Sequence, residues 1–239
     1  MKQLSIALIG LSFFDCASIS SAQAGEKPEI ISNSQWLPGR GLVSKAPTAT
    51  GVANSIVLEE SEDTSFLMAY ADIAPQPLAI GDRVAVVWKI SLLSESELKP
   101  ESLRIGLGDA ASAVVIMPPL VPGTNPVFAV SMQRPNILAG ANMVRFSSSD
   151  LLSRLAPNES VEVTTTIQRT GESQCRVSLQ YQGEKAEVVL DSSSELLDLR
   201  SGNELSMPSE ISRLYIGTGR DPLHLRVDEV TVFKGKIKQ

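Results

Sequence analysis

The chain holds one histidine, His224, and two cysteines, Cys16 and Cys175, so metal and nucleophile chemistry has few residues to work with. One histidine cannot build a multi-histidine zinc site. It stands in Asp221-Pro222-Leu223-His224, read as a loop entering the last strand, where a surface side chain is expected. Cys175 lies in Gln174-Cys175-Arg176-Val177-Ser178-Leu179-Gln180-Tyr181. That period-two pattern puts Cys, Val, Leu and Tyr on one strand face, so a small buried hydrophobe is expected. Two sets of carboxylates remain as oxygen ligands. Glu59-Glu60-Ser61-Glu62-Asp63 has the chemistry of a calcium site but reads first as a solvated loop. Asp228, in Arg226-Val227-Asp228-Glu229-Val230, reads first as an acceptor for nearby backbone N–H groups and second as a metal ligand for calcium. No cofactor is otherwise called for.

Two glycine motifs imitate nucleotide sites. Ile105-Gly106-Leu107-Gly108-Asp109 follows a strand as a dinucleotide fingerprint would, yet Pro118-Pro119 stands where the phosphate-binding helix should continue. It reads as a strand end and a turn. Gly217-Thr218-Gly219-Arg220-Asp221 lacks the P-loop spacing, and no G-x-S-x-G nucleophile elbow occurs. Asn158-Glu159-Ser160 is a glycosylation sequon, meaningful only in a eukaryotic secretory pathway.

The elements that would position these residues begin after a leader. Leu4 to Phe14 is apolar but too short to span a bilayer, which takes about 20 residues. The Ala22-Gln23-Ala24 pattern marks residues 1–24 as a signal peptide cleaved after Ala24, and hence a secreted or periplasmic protein with no transmembrane segment after processing. Lipidation at Cys16 is disfavoured by Phe14-Asp15 before it. Residues 25–54 read as an N-terminal extension or edge segment, and 55–239 as one domain.

That domain reads as all-β. Val84, Val86, Trp88 and Ile90 share a face of the 82–93 segment, clean alternation recurs at 103–107, 127–132 and 143–146, and 211–216 and 225–233 make the last two strands. Val161 to Ile167, the Cys175 strand and Ala186 to Leu190 form a meander with turns at Thr170-Gly171 and Gly183. In the last strand Leu225 and Val227 have one parity and Val230 and Val232 the other, which predicts a β-bulge at Asp228-Glu229. Helical signals are confined to one or two short turns, at Ser149 to Leu155 and Ser192 to Leu199. With no long helix alternating with the strands, an antiparallel sandwich or barrel is expected rather than a parallel sheet. An apolar content of 43% excludes disorder, and a net charge of −6 gives no electrostatic footprint for nucleic acid.

The closing strands, Ile211-Ser212-Arg213-Leu214-Tyr215-Ile216-Gly217 and Leu225-Arg226-Val227-Asp228-Glu229-Val230-Thr231-Val232-Phe233, resemble those of concanavalin A-like or laminin-G-like jelly rolls. The Gly81-Asp82 turn before the Val/Trp strand is similar to that of exported bacterial proteins carrying such a domain. The resemblance covers roughly residues 55–235 and implies a jelly-roll β-sandwich. Glucanases of this fold carry E-x-D-x-x-E on one strand, and lyases of similar build use Tyr, His, Arg and Gln. The first pattern is absent, and the single His224 does not supply the second.

No catalytic centre therefore emerges, and binding is what remains. The leading reading is an exported, non-catalytic, lectin-like module for extracellular glycan; the second is a structural or adhesive protein contacting cell-envelope proteins, and the third a glycan-cleaving enzyme. Sugar-binding sandwiches stack pyranose faces on exposed rings. Of the two Trp, three Tyr and six Phe, Phe13 and Phe14 fall in the leader, and most others, Tyr70 and Tyr215 among them, sit where a core can claim them. Trp36, in Gln35-Trp36-Leu37-Pro38, is the ligand-binding candidate, with packing over a sheet edge as the alternative.

Overall fold

The computed structural model describes residues 28–38, 48–49, 54–58, 68–93, 103–117, 127–133, 144–147, 160–181, 184–191, 197–198, 203–204, 207–218 and 225–236. In chain order the strands are β1 (Glu29–Ile30), β2 (Trp36–Pro38), β3 (Thr48–Ala49), β4 (Ile56–Leu58), β5 (Met68–Pro77), β6 (Asp82–Leu92), β7 (Leu103–Gly108), β8 (Ala113–Met117) and β9 (Val127–Gln133). They continue as β10 (Val144–Ser147), β11 (Ser160–Arg169), β12 (Gln174–Tyr181), β13 (Glu184–Asp191), β14 (Leu197–Asp198), β15 (Asn203–Glu204), β16 (Glu210–Thr218) and β17 (Leu225–Lys236).

Two antiparallel sheets form the sandwich. The first runs β13-β12-β11-β6-β17-β4-β3 with β1 beside β17, and the second runs β10-β9-β8-β7-β16-β5-β2. The chain passes from β6 to β7 and from β16 to β17, and those strands are partners in both sheets. The pair thus travels from one sheet to the other as a two-stranded ribbon, the feature that makes this antiparallel β-sandwich a jelly roll. The segment read as an extension or edge supplies strands to both sheets, β1 and β3 to the first and β2 to the second.

Alternation explains the core. Val84, Val86, Trp88 and Ile90 of β6 meet Ile105 and Leu107 of β7, with Leu214 and Ile216 of β16 in the same buried cluster. The Trp88 indole N–H donates to Thr165 Oγ1 at 2.9 Å, which removes the cost of a buried donor. The meander β11-β12-β13 is as expected, and Cys175 is buried in it. Burial pushes the Cys175 thiol up to about 12, with Arg169 pulling partly back.

The turns carry their own reasons. Gly81 takes φ +92°, open to glycine and strained for other residues. Its turn closes through Asp82 N–H to the Ala79 carbonyl at 2.9 Å. Arg169 pins this turn to the β11–β12 turn, donating to Leu78 O at 3.2 Å, Gly171 O at 3.2 Å and Glu172 O at 2.9 Å.

Two expectations are corrected or left aside. Leu197–Asp198 is a strand paired with Asn203–Glu204, so the short helix read over Ser192 to Leu199 is not formed at those two residues; the rest of that segment lies outside the described residues. The turn read at 149–155 lies outside the described residues. A 3-10 turn at Asn33–Gln35 was not foreseen, although Ser32 and Gln35 form its capping box.

Candidate functional site on the outer face of the second sheet

In β7, Leu103, Ile105 and Leu107 point inward, so Arg104, Gly106 and Gly108 belong to the outer face. Yet all six residues of the strand are buried. The outer face carries a second apolar cluster of Ala113, Val115 and Tyr215, with Tyr70 packed against it. Register explains the grouping. Tyr70 lies opposite Tyr215, Tyr215 opposite Gly106, and Gly106 opposite Val115, giving one row across four strands. Leu37 of β2 extends the row beyond Tyr70.

Gly106 is what lets Tyr215 lie down. A Cβ there would stand 3.0 Å from the Tyr215 Cβ. The tyrosine hydroxyl reaches past it and donates to the Asp109 carbonyl at 2.6 Å. Asp109 in turn closes the β7–β8 hairpin, its Oδ1 accepting from Ala111 N–H at 2.6 Å and Ser112 N–H at 2.8 Å. The imitation dinucleotide motif is therefore a strand end and an Asx-type turn, as read from the sequence.

Beside this row lies an ion pair. Arg213 Nε donates to Asp72 Oδ1 at 2.6 Å, and the guanidinium carbon sits 4.4 Å from the Tyr70 ring centre. The Tyr70 and Tyr215 rings are 6.4 Å apart and tilted by 43°, a separation at which aromatic pairs attract. Burial is the largest influence on Arg213 and disfavours its charge, but the bond to Asp72 and the interactions with Asp72 and Tyr215 together outweigh it and hold the pKa above the ordinary value. Burial also pushes the Tyr215 phenol well above its usual range, with Arg213 opposing. The exposed members are Asp72, whose side chain is 58% accessible, and the half-buried Tyr70; the Arg213 side chain is 25% accessible. The arrangement offers a ring face, a carboxylate acceptor and a guanidinium donor within one small patch.

The residues singled out from the sequence lie elsewhere. Trp36 is 5% exposed and faces Trp88 in the core at 6.5 Å, so it offers no stacking platform. Its position opposite Ala71 turns it inward, and Leu37 takes the outward place. Asp228 sits at the expected bulge, where register shifts between Val227 and Glu229. Its partners are side chains rather than the backbone N–H groups expected. Arg226 donates to Oδ1, while Ser91 at 2.6 Å and Ser160 at 3.3 Å donate to Oδ2. A guanidinium on one oxygen and hydroxyl donors on the other do not fit a calcium ligand, because a divalent cation would have to displace Arg226. Among the described residues no group of three His, Cys, Asp or Glu comes together. His224, Cys16 and Glu59 to Asp63 lie outside the described residues.

The sequence did hold a signal for the patch. Arg213 and Tyr215 have the opposite parity to the core residues Leu214 and Ile216, which places both outward. No local pattern, however, ties them to Tyr70 and Asp72.

No protein-family model and no curated protein sequence matches the chain. Solved structures do. A peanut lectin structure is similar over 90% of this chain and 100% of its own, at 9% identity and a TM-score of 0.47. An endo-1,3-β-glucanase from Streptomyces sioyaensis is similar over 83% and 88%, at 9% identity and 0.48. The carbohydrate recognition domain of Emp46p, in potassium-bound form, is similar over 85% and 90%, at 11% identity and 0.47. Likeness at this level transfers no residue and no activity.

Proposed function

We propose that the protein is an exported, non-catalytic carbohydrate-binding module of lectin-like type, using the outer face of the second sheet. One observation carries this reading: the half-buried Tyr70 ring lies beside the exposed Asp72 carboxylate, with Arg213 held against both. A pyranose has an apolar C–H face and a polar rim, so a ring flanked by a carboxylate and a guanidinium matches both parts at once. The solved lectin and carbohydrate-recognition structures reported above are in keeping with it but do not bear its weight. Export rests on the leader sequence, and mass spectrometry of the secreted product should find a chain beginning at Gly25.

The second reading, a structural or adhesive envelope protein, asks for a contiguous apolar patch. The exposed large apolar residues among those described, Ile30, Leu37, Ile80 and Val189, lie on β1, β2, the β5–β6 turn and β13, and so favour it less. In the described residues no helix is long and apolar enough to cross a membrane. A glycan array with the purified mature protein, run with and without calcium, tests the proposal. Binding that Tyr70→Ala and Asp72→Ala both abolish is expected. Silence on every glycan in both conditions overturns it.

A further inference from the structure

We infer that the Tyr70–Asp72–Arg213 patch selects uncharged sugars and discriminates against carboxylated or sulfated ones, an inference that rests on the carbohydrate-binding reading above. The reason lies in which charge meets solvent. The Arg213 Nε is committed to Asp72 at 2.6 Å and its plane lies over Tyr70, leaving its side chain 25% accessible. The Asp72 side chain is 58% accessible, and the bond to Arg213 engages its Oδ1. Among the described side chains of this face the other cation, Arg104, is buried. An approaching ligand therefore meets a carboxylate first, an acceptor suited to hydroxyl donors and repulsive to anions.

The apolar half of the contact fits the same ligand. Leu37 is 42% exposed and stands opposite Tyr70, so the two form a small platform at the β2–β5 edge. Toward β7 and β8 the row closes, since Tyr215, Val115 and Ala113 are all buried. The accessible members thus span β2, β5 and β16, about 10 Å at the usual strand spacing. That is room for one or two sugar rings, with hydroxyls turned to Asp72 and a C–H face on Leu37 and the part of Tyr70 that Arg213 leaves open.

Calorimetric titration of the purified mature protein tests this, with neutral di- to tetrasaccharides of glucose, galactose and mannose against oligogalacturonates and sulfated disaccharides. Wild-type protein should bind a neutral sugar at least about tenfold more tightly than any acidic one, the worth of one hydrogen bond to a charged group. Its affinity should not change between low and high salt, and chains beyond a disaccharide should add little. Asp72→Asn, checked for an unchanged melting temperature, should weaken the neutral sugar about tenfold and strengthen the acidic ones, because Arg213 is then free to pair with them. Tighter, salt-sensitive binding of an acidic sugar by wild-type protein overturns this inference and leaves the carbohydrate reading standing. Binding of neither class overturns both.

Discussion

The outer faces of the two sheets are built on opposite rules. On the first sheet the outward residues of the central strands are mostly small or polar, with the half-buried Val87 and Phe233 as the apolar exceptions. Thr166 and Ala85 are register partners, as are Thr164 and Val87, and Ser178 continues the field onto β12. Charged side chains at its margins pair across strands, Lys89 with Glu229 at 3.4 Å and Arg176 with Glu187 at 3.2 Å. This is the ordinary inside-apolar, outside-polar division of an antiparallel sheet. On the second sheet the same division fails. Tyr215, Val115 and Ala113 are buried on the outward side, Tyr70 packs against them, and Arg213 lies over Tyr70. A sandwich needs only its inner faces to fold, so an apolar cluster on an outer face asks for a further reason, and recognition of a ligand is the one proposed here.

The contrast predicts unequal costs. Tyr215→Ala, though made on an outer face, should behave as a core truncation and cost about 3–5 kcal/mol in urea unfolding. A loss below about 1 kcal/mol would mean that the cluster is a surface decoration and the two faces are alike. Gly106→Ala should cost about 1–3 kcal/mol. In an open strand the same change is neutral or stabilising, but here the new methyl meets the Tyr215 Cβ at 3.0 Å, an atom fixed to its backbone and unable to swing aside. Recovery of that loss when Gly106→Ala is combined with Tyr215→Gly, which removes the Cβ it meets, but not with Tyr215→Ala, which keeps it, would locate the strain at this one contact.

Alkaline pH probes the same ring. The Tyr215 phenol has its folded-state pKa raised above the ordinary value of about 10 by burial. The folded state then holds its proton where the unfolded chain has released it. The contribution is therefore fully present below about pH 10 and lost as pH climbs from there toward the folded-state value. Tyr215→Phe should flatten this alkaline fall and, at neutral pH, cost about 1 kcal/mol for the missing bond to Asp109. An unchanged alkaline slope in the Phe variant would assign the fall to other groups.

Which of these features could be read from sequence depends on how far apart their residues lie. The β-strands, the meander and the bulge at Asp228 were legible because each is written in the parity of adjacent residues. Cys175 was legible as buried for the same reason. Trp36 was not, since a strand of three residues has too little alternation to show which side faces in. Asp228 was placed correctly and partnered wrongly: Ser91 and Ser160 come from strands whose pairing no local pattern records. Arg213 and Asp72, 141 residues apart, meet only because β5 and β16 pair in one particular register. Elements are local and sites are not, so the fold was the easier half.

The smallest expected effect comes from the first sheet and serves as the control for all the others. Lys89 and Glu229 are joined at 3.4 Å with side chains 45% and 37% accessible, so water screens most of their attraction and ordering them costs side-chain entropy. Lys89→Ala should change stability by about 0.5 kcal/mol or less, and raising the salt should erase even that. Arg213 also has a pairing carboxylate, but its guanidinium lies on Tyr70 and its side chain is less accessible. Arg213→Ala should therefore cost about 1 kcal/mol or more and keep that cost in salt, because a desolvated cation–π contact is not screened as an open ion pair is. Equal, salt-erased losses at both positions would reduce the Arg213 pair to one more surface contact. A salt-resistant difference would show that the second face is held in its binding geometry before any ligand arrives.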